Sequence, residues 1–594
     1  MSVVPPSAED IPYISPLPKP SGRVLDGISI RERSYRLRAG EVEGIAIADV
    51  MKVRGLLDDA ERFLNPRINR DMPDPSVLKD MDKAADRIAD AIRHGERIVV
   101  FGDYDVDGAC ATSIMGRWLR QVGGVFSIYI PDRMKEGYGP SSPVFQRIVK
   151  EGVDVILCVD CGTAAVDPIA EATDAGVDVV VVDHHKPPVG DLPPAVAIVN
   201  AHQVDCTSGL TMLCAGALAF MLCVATQREL RRRGFFKDRE EPKLRDLMDA
   251  VALCTVADIV PLIGPSRLFV ARGLDVMAQS PSVGMAALLK VSDCKELNAR
   301  ALGFALGPRI NAGGRLGGGT IETDGAIGAN LLLCDDPVEA ERLARKINEM
   351  NVERQAIQAG CVEEAIVQAR QQVEEGRRAL VVRGDSWHPG VVGIVAGRLK
   401  EMFNRPTIVA GFDGKVYKGS GRSVPGFDLG DVVIEARSRG ILASGGGHAM
   451  ACGIGCLDDR WEEFCEFLEK RTVYRPEPVA IDLEIAGDRL DVDEIETLGK
   501  LQPVGMGMPE VEIAVSHCTV SSVRTLSDGK HVKLTLRSGS KTVEALWWNA
   551  LSDGYVERLT ALDGCRVVAI GRPDINEFRG RKTPQLILSD VIAA

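Results

Sequence analysis

Acidic residues and histidines follow several apolar runs in the first half of the chain, at the positions where strands of a parallel sheet would end. In chain order they are Asp103, Asp105, Asp107, Asp160, Asp183, His184, His185 and Asp258. Carboxylates that converge on one crevice repel one another unless cations are present. Carboxylate oxygens and imidazole nitrogens together suit Mn²⁺ or Mg²⁺. The residue types therefore predict a pair of bound divalent metal ions.

Each of these residues also has an ordinary interpretation. Asp107 precedes Gly108 and could cap the following helix, Asp160 could begin a turn, and His185 could be a surface histidine. Unrelated turns, however, do not need acidic and imidazole groups at three successive strand ends. The combination therefore favours the metal site.

The elements that must position these residues are strands and helices that alternate between about residues 80 and 330. Apolar β-branched runs such as "RIVVF" and "VDVVVV" are separated by segments with helical spacing of apolar residues. This pattern is typical of a parallel sheet covered on both faces, and the ligand crevice of such a sheet lies beyond the carboxyl ends of its strands. We expect a doubly wound α/β domain over residues 51–334, after an N-terminal tail and lead-in over 1–50.

Three further regions follow this domain. Residues 335–376 have helical spacing with no proline after Pro337, which predicts a long connecting helix. Residues 377–474 repeat the strand and helix pattern of a second α/β domain, and residues 475–594 contain the short alternating strands of a small β-barrel or sandwich. A chain of 594 residues is long enough for several such cores.

Composition argues against some classes of protein. The formal net charge of −13 argues against a surface coated with non-specific nucleic-acid contacts, although it permits a local basic channel. No apolar stretch reaches the roughly 18 residues of a membrane span, and the proline-rich N-terminus lacks the pattern of a signal peptide. The 15 cysteines, an odd number scattered through apolar segments, favour a reducing cytoplasm. Cys158 and Cys161 have redox or zinc spacing without a second half-site, so we expect buried thiols there.

Glycine-rich segments provide a second set of polar positions. In "PRINAGGR" the guanidinium groups of Arg309 and Arg315 could bind phosphate while glycines let backbone amides approach it. "GSGRS" and "GGGH" repeat this arrangement in the second α/β domain. A glycine-rich turn alone is usually only a turn, but three segments that each carry a cation or an imidazole favour a substrate site. The candidate substrate-binding residues are Arg309, Asn311, Gly314, Arg315, His388, Ser420, Arg422, Ser423, Gly447 and His448.

Aromatic and basic residues in the C-terminal strands suit single-stranded nucleic acid. Trp547, Trp548 and Phe578 could stack on bases, and basic residues could contact phosphates. These basic residues are Arg524, Lys530, Lys533, Arg579, Arg581 and Lys582. The ordinary alternative, aromatic residues in a β core beside basic residues on a solvated face, stays open for each of them.

Ordered motifs along the chain carry a resemblance to a known family. They are "VFGDYDVDGA" at 100–109, "VDCG" at 159–162, "VDHH" at 182–185, "ADIVPL" at 257–262, "GPRINAGGRLG" at 307–317, "SWHPGVVGIVAGRL" at 386–399, "GSGRSVPG" at 419–426 and "GGGHAMACG" at 445–453. The chain resembles the DHH phosphoesterase superfamily and, within it, the single-strand-specific exonucleases of the RecJ family. The resemblance implies a DHH catalytic domain, a DHH-associated (DHHA1) domain and an oligonucleotide-binding (OB) barrel.

The resemblance also implies particular roles at the matching positions. The metal ligands would be Asp105, Asp107, Asp160, His184 and Asp258. Asp160 would bridge two ions, and Asp103 and His185 would complete the catalytic site as ligand or phosphate contact. Two ions would activate water for in-line attack on phosphorus and neutralise the leaving oxygen. An imidazole ligand makes Mn²⁺ the first expectation and Mg²⁺ the second.

By the same resemblance, the protein would hydrolyse phosphodiester bonds of single-stranded DNA from the 5′ end and release mononucleotides. A narrow channel between the two α/β domains would admit one strand and exclude a duplex. The DHHA1 domain would hold the nucleotide end, with His388 at that interface. The expected setting is recombination and repair in the bacterial cytoplasm, where a helicase and a single-strand-binding protein supply the strand to a monomeric enzyme.

Two alternatives remain from the sequence. A phosphodiesterase of the same chemistry could act on short oligonucleotides or cyclic dinucleotides, but such relatives are typically shorter and lack the C-terminal barrel. A catalytically inactive DNA-binding scaffold could keep the fold, but such relatives lose metal ligands that this chain retains. One segment departs from the family pattern, because "QPVGMGMPE" has Val504 and Met508 where relatives usually carry phenylalanine and asparagine.

Overall fold

The computed structural model describes residues 17–38, 42, 44–132, 136–188, 190–314, 325–474 and 477–593. These residues form two compact units. The first unit contains Leu17 and the described residues of Asp58–Val352 and Leu501–Pro509. The second unit contains the described residues of Pro18–Leu57, Glu353–Lys500 and Glu510–Ala594. Within the described ranges, no helix is both long and apolar enough to cross a membrane.

The N-terminal segment contributes to a folded core, which differs from the tail and lead-in expected over residues 1–50. Its described elements are β1 (Ile28–Ser29), β2 (Tyr35–Leu37) and α1 (Ile47–Val53). β1 pairs antiparallel with the last strand of the chain, Arg581–Ala593, and β2 pairs parallel with the strand Val479–Ile481. Tyr35 and Leu37 are buried. These long-range pairings leave no mark in the local sequence pattern.

The first unit is built on a five-stranded parallel sheet. Its strands are β3 (Arg97–Phe101), β4 (Val125–Tyr129), β5 (Val155–Val159), β6 (Asp178–Val182) and β7 (Ala197–Val199), in the order β4-β3-β5-β6-β7. All four pairings are parallel. The predicted doubly wound sheet is confirmed, and its central strands are buried on both faces because their residues are almost all apolar.

Helices pack on both faces of this sheet and on one another. The helices of this unit before the long connecting helix are α2 (Ala60–Leu64), α3 (Ile68–Asp71), α4 (Met81–His94), α5 (Val106–Val122), α6 (Ser142–Lys150), α7 (Val166–Asp174), α8 (Ala215–Arg232), α9 (Met248–Ala257), α10 (Gly264–Gln279), α11 (Val283–Ser292), α12 (Ala299–Ala301), α13 (Gly307–Ala312) and α14 (Ile327–Leu333). α6 and α7 share one apolar cluster with the sheet, whereas α4, α5 and α8 pack together on the opposite face.

A single helix of 38 residues, α15 (Pro337–Glu374), begins within the first unit and continues into the second, and it is the predicted long connecting helix. The second α/β domain contains α16 (Pro389–Phe403), α17 (Leu429–Ser438) and α18 (Trp461–Arg471). Its strands are β8 (Leu380–Gly384), β9 (Thr407–Phe412), β10 (Tyr417–Arg422), β11 (Ser444–His448) and β12 (Ala451–Cys456). They form one sheet in the order β11-β12-β10-β9-β8, in which only β8 and β9 pair in parallel.

The C-terminal region closes into a barrel. Its strands are β13 (Val479–Ile481), β14 (Leu483–Ala486), β15 (Ile513–Leu526), β16 (His531–Ser538), β17 (Lys541–Trp547), β18 (Arg566–Phe578) and β19 (Arg581–Ala593), with helices α19 (Val492–Leu498), α20 (Ala550–Asp553) and α21 (Val556–Thr560). Strands β15, β16, β17, β19 and β18 pair in a ring that returns to β15. The predicted OB-like barrel is confirmed by this closed five-stranded ring.

Candidate active site

Helix α5 begins at a tight turn that carries three alternating carboxylates. Asp105 caps this helix, because its Oδ1 accepts hydrogen bonds from the backbone N–H groups of Asp107 at 2.9 Å and Gly108 at 3.1 Å. The capping role considered for Asp107 therefore belongs to Asp105. Gly108 has no room for a side chain, since a Cβ there would lie 2.5 Å from the carbonyl oxygen of Asp103. The turn holds all three carboxylates at the carboxyl end of β3.

Asp107 is buried at the start of another helix, α8. Its Oδ2 accepts a hydrogen bond from the backbone N–H of Ala215 at 2.7 Å, and its Oδ1 accepts one from Gly216 at 2.8 Å. The N-terminus of a helix stabilises an anion through its unpaired N–H groups and its dipole. Even so, burial raises the pKa of Asp107 above its usual range, despite the opposing influence of His184. The carboxylate is fixed in place but lacks full charge compensation.

Three carboxylates converge on the imidazole of His184. Its Nε2 lies 3.6 Å from Asp107 Oδ2, 3.4 Å from Asp160 Oδ1 and 3.6 Å from Asp258 Oδ2. These separations exceed an ordinary hydrogen bond and suit ligand atoms arranged around a shared divalent cation. Beside this set, ligand atoms of Asp103, Asp105 and Asp160 all lie within 4.8 Å of one another. Asp160 is close to both sets, so two clusters of potential ligand atoms share one carboxylate.

Asp160 shows most clearly that the residues fit cations. It follows β5 in the left-handed region, at φ 61°, and it is buried. Among the described residues, its Oδ1 accepts no hydrogen bond. Burial and the nearby charges of Asp107 and Asp105 raise its pKa well above the usual range. Burial and the same two neighbours raise the pKa of Asp258 to about 9, so a cation would relieve a repulsion that the protein itself leaves uncompensated.

Asp183 orients the second histidine of the "DHH" segment. Its Oδ1 accepts hydrogen bonds from the backbone N–H groups of His184 at 2.8 Å and His185 at 3.1 Å, and it lies 2.8 Å from His185 Nδ1. Burial opposes ionisation of Asp183, but His185 and the backbone of Thr163 lower its pKa overall. Burial likewise opposes protonation of His185, but Asp183 raises its pKa overall. The side chain of His185 is half exposed, so its ring is accessible to a bound ligand.

Three protein-family models match the chain: the DHH family N-terminal domain over residues 97–255, the DHHA1 domain over 376–473 and the RecJ OB domain over 481–590. The single-stranded-DNA-specific exonuclease RecJ of Bacillus subtilis is 36% identical over 560 residues, which are 92% of this chain and 67% of that protein. The RecJ of Escherichia coli is 34% identical over 541 residues, 86% of this chain and 90% of that protein. The chain belongs to the RecJ family.

Solved structures of the RecJ family agree with the fold. The crystal structure of Thermus thermophilus RecJ in complex with Mn²⁺ matches with a TM-score of 0.75 and 27% identity, over 92% of this chain and 76% of that one. The same protein in complex with Mg²⁺ matches with a TM-score of 0.68 and 26% identity, over 92% and 74% of the two chains. The resemblance read from the sequence motifs is therefore confirmed.

The segment "PRINAGGR" of this RecJ-family chain is helical rather than a loop up to Ala312. Arg309 lies within it, and its guanidinium donates to Asn348 Oδ1 at 2.9 Å and to the carbonyl oxygen of Ala305 at 2.6 Å. Asn311 is half-buried. Gly314 packs against the ring of Tyr104, since a Cβ there would lie 2.8 Å from Tyr104 Cδ2. Arg315 lies outside the described residues.

In the second α/β domain, the start of α16 and the end of β10 bring three predicted residues together. His388 caps α16, and its Nδ1 accepts a hydrogen bond from the Gly390 N–H at 3.0 Å. Arg422 donates to Ser420 Oγ at 2.9 Å. A Cβ on Gly393, in the first turns of α16, would lie 3.1 Å from Ser420 Oγ and 3.3 Å from an Arg422 nitrogen. The guanidinium of Arg422 and the hydroxyl of Ser420 thus lie against α16.

Two other predicted substrate contacts have a different environment. The Ser423 hydroxyl is buried and donates to the carbonyl oxygen of Phe427 at 2.7 Å, which favours a structural role. Gly447, at φ 155°, lies where β11 and β12 approach closely, because a Cβ there would be 2.4 Å from the Ala451 carbonyl oxygen. His448 is exposed at the end of β11.

The barrel separates its candidate aromatic residues. Trp547 is 1% exposed and packs against Arg31, whose guanidinium carbon lies 5.0 Å from the ring centroid. This burial argues against the base-stacking role expected of Trp547. Phe578 is 65% exposed and Trp548 48% exposed, so both rings are accessible. The ammonium of Lys533 pairs with Glu544 at 2.5 Å, whereas Lys530 is exposed in the turn between β15 and β16.

Sequence reasoning missed supporting residues around the metal positions. Tyr138 donates from its hydroxyl to the carbonyl oxygen of Asp160 at 3.1 Å and lies 3.3 Å from the His185 ring nitrogens. Asn200, directly after β7, donates to the His185 carbonyl oxygen at 2.8 Å. Asn200 stands at a strand end, which is the signal that could have identified it, as it did identify Asp183. Nothing in the local pattern around Tyr138 indicated its position.

The cysteines behave as the sequence indicates. All fifteen are free thiols. Cys158 and Cys161 are buried, and Cys161 Sγ lies 3.9 Å from the Phe101 carbonyl oxygen. The prediction of buried thiols at the "CVDC" segment is confirmed.

Proposed function

We propose that this chain is a metal-dependent exonuclease that hydrolyses phosphodiester bonds of single-stranded DNA. The observation that carries the proposal is the approach of Asp107, Asp160 and Asp258 to within 3.6 Å of one imidazole nitrogen. The unmatched Oδ1 of Asp160 and the raised carboxylate pKa values support cation binding there. The RecJ relatives are named single-stranded-DNA-specific exonucleases.

The residues that would hold two divalent cations fall into two sets around Asp160. Asp107, His184 and Asp258 would serve one position, and Asp103 and Asp105 the other. Bound Mn²⁺ or Mg²⁺ would supply an activated water and neutralise charge on the scissile phosphate and its leaving oxygen. Mn²⁺ is the first expectation because the set includes an imidazole.

The chain's own residues would orient the phosphate. His185, protonated more readily because Asp183 accepts its Nδ1–H, would donate a hydrogen bond from Nε2 to a phosphate oxygen. Tyr138 limits rotation of the His185 ring through its hydroxyl. Asp183 remains ionised because its pKa is lowered, so it favours the protonated imidazole and fixes the ring orientation through Nδ1.

Other regions would hold the strand by its backbone and its bases. Arg422 and Ser420, beside the start of α16, would bind the terminal phosphate, and His388 would assist them. In the barrel, exposed Phe578 and Lys530 would contact a base and a phosphate. We propose that digestion starts at the 5′ end and releases mononucleotides. A single-strand-binding protein and a helicase would supply DNA to a cytoplasmic monomer during recombination and repair.

The test is digestion of single-stranded DNA labelled at either end, with Mn²⁺, Mg²⁺ or a chelator. We expect metal-dependent release of the 5′ label as a mononucleotide, no activity in chelator and little activity on duplex DNA. Asp160→Asn should lower the rate by several orders of magnitude because it removes the shared carboxylate. Asp174→Asn, at the exposed end of α7, is the matched control and should retain the wild-type rate.

Three results would contradict the proposal. Undiminished activity of Asp160→Asn would remove the metal site from the mechanism. Hydrolysis of short oligonucleotides or cyclic dinucleotides in preference to long strands would favour the small-substrate alternative. Binding of DNA without hydrolysis in any metal would favour the inactive scaffold.

A further inference from the structure

A nine-residue segment before the barrel, Leu501–Pro509, packs on the first unit and is called the strap here. It contains the positions at which the sequence departs from the RecJ pattern, Val504 and Met508. Gly505 and Met508 close it into a turn through two backbone hydrogen bonds of 2.8 and 3.1 Å. Met508 is buried, which suits an apolar side chain at that position.

The strap lies on the turn that follows Asp258. The backbone N–H of Leu262 donates to the carbonyl oxygen of Met506 at 2.7 Å. Both glycines of the strap lie close to this turn, and Gly507 also has a left-handed backbone that favours glycine. A Cβ on Gly505 would lie 2.8 Å from Leu262 Cδ1, and one on Gly507, at φ 72°, would lie 3.0 Å from Pro261 Cβ.

Arg267, the fourth residue of α10, forms hydrogen bonds with the other end of the strap. Its side chain is buried, and its guanidinium donates to the carbonyl oxygens of Leu501 at 3.0 Å, Gln502 at 2.9 Å and Pro503. The guanidinium carbon also lies 3.8 Å from the ring centroid of Phe63. A planar fork with five N–H donors can satisfy several carbonyl groups at once, which a lysine ammonium cannot do in the same geometry.

Asp258 depends on this turn for its position. Among the described residues, its carboxylate accepts no hydrogen bond within ordinary distance, and its nearest ring nitrogen is His184 Nε2 at 3.6 Å. The next residue, Ile259, is in the left-handed region at φ 60° and is 67% exposed. The side chain of Asp258 is thus placed by its backbone, and the backbone between α9 and α10 is held by the strap.

We infer that Arg267 is a positioning residue for the metal centre, acting through the strap on the turn that carries Asp258. The inference rests on the proposed function only in assigning Asp258 to metal. It has a practical consequence for truncation. Removing residues 475–594 would remove the strap as well as the barrel, so loss of activity in that deletion would not by itself report on DNA binding.

The experiment measures Mn²⁺ binding to the full-length protein by calorimetric titration, without DNA. Arg267→Met should weaken Mn²⁺ binding about ten- to a hundredfold, the usual effect of losing a residue that supports a ligand. Arg267→Lys should recover only part of this loss. Arg228→Met is the matched control, because Arg228 also joins distant segments of the first unit, pairing with Asp74 at 2.7 Å, and it should leave the Mn²⁺ affinity unchanged.

Gly507→Ala keeps Arg267 and disturbs only the contact between the strap and Pro261. It therefore tests the inference if Arg267→Met folds poorly. It should also weaken Mn²⁺ binding, while the KM for single-stranded DNA at saturating Mn²⁺ stays within twofold of wild type. Wild-type Mn²⁺ affinity in both folded variants would overturn the inference. If both variants lose Mn²⁺ affinity and the wild type lacks nuclease activity, the inference stands and the proposed function fails.

Discussion

Replacing Asp258 with asparagine should stabilise the metal-free protein while it weakens metal binding. Without a cation, burial and neighbouring carboxylates raise the pKa of Asp258 to about 9, whereas aspartate in an unfolded chain titrates near pH ~3.9. The native state therefore keeps a proton that the unfolded state releases. Consequently, the free energy of unfolding falls as the pH rises from about 4 to about 9. Asparagine has nearly the same shape but does not ionise, so it removes this loss.

The size of the effect follows from the two pKa values. At pH 7 the solution is about three pH units above the unfolded-state pKa, and each unit corresponds to ~1.4 kcal/mol. Asp258→Asn should therefore raise the free energy of unfolding of the chelated protein by up to ~4 kcal/mol at pH 7. For a unit of this size, that corresponds to an increase in Tm of roughly 10 °C. At pH 4 the two proteins should be nearly equal.

Calorimetry in chelator at pH 4, 7 and 9 measures this difference. The relevant transition is the one that Mn²⁺ moves to higher temperature in the wild type, because a ligand stabilises the unit that binds it. In Asp258→Asn this transition should occur at a higher temperature at pH 7, and Mn²⁺ should raise that temperature less than in the wild type. Asp174→Asn, with an exposed carboxylate, should behave as wild type. If Asp258→Asn keeps the wild-type pH dependence, the carboxylate repulsion described above is not present in the metal-free protein.

Two further predictions concern residues outside the proposed ligand set. Asp183→Asn should lower the rate ten- to a hundredfold, because it loosens His185 and also weakens the support of the proposed ligand His184, whose backbone N–H donates to Asp183. Single-turnover kinetics at saturating Mn²⁺ is the measurement, and a rate within twofold of wild type would contradict this. Phe578→Ala should weaken binding of single-stranded DNA by about 1–3 kcal/mol without changing Tm, whereas Trp547→Ala should lower the stability by about 3–5 kcal/mol because its ring is buried. Fluorescence anisotropy in chelator measures the DNA affinity of the two variants, and thermal unfolding measures their stability. Equal effects of the two substitutions on DNA binding would contradict the assignment of Phe578 to the DNA contact and of Trp547 to the core.

Much of the metal centre could be predicted from the sequence because one topological rule brings its parts together. Apolar β-branched runs identify parallel strands, and the carboxyl ends of parallel strands meet at one edge of the sheet. Asp160 directly follows such a run, and Asp105 and His184 come within four residues of the end of one, so their types and positions were enough to predict a shared site. The long helix and the alternating strands of the C-terminal region were predictable because their periodicity is local, whereas the barrel was implied by the family resemblance.

Other features depended on contacts between residues far apart in the chain. Alternation within β17 indicates two faces but not which of them meets the core, so Trp547 looked as available as Phe578. The capping of α8 by Asp107 joins residues more than a hundred positions apart, and no periodicity records such a pairing.

The sequence by itself therefore predicted which residues form the candidate metal site and that most of them stand at one edge of the sheet. Only the tertiary structure decided how each carboxylate is held: Asp105 by its own helix, Asp107 by the start of α8, and Asp258 by a turn under the strap. The physical reason is that strand ends follow from local hydrophobic patterns, whereas hydrogen-bond partners are selected when distant segments pack.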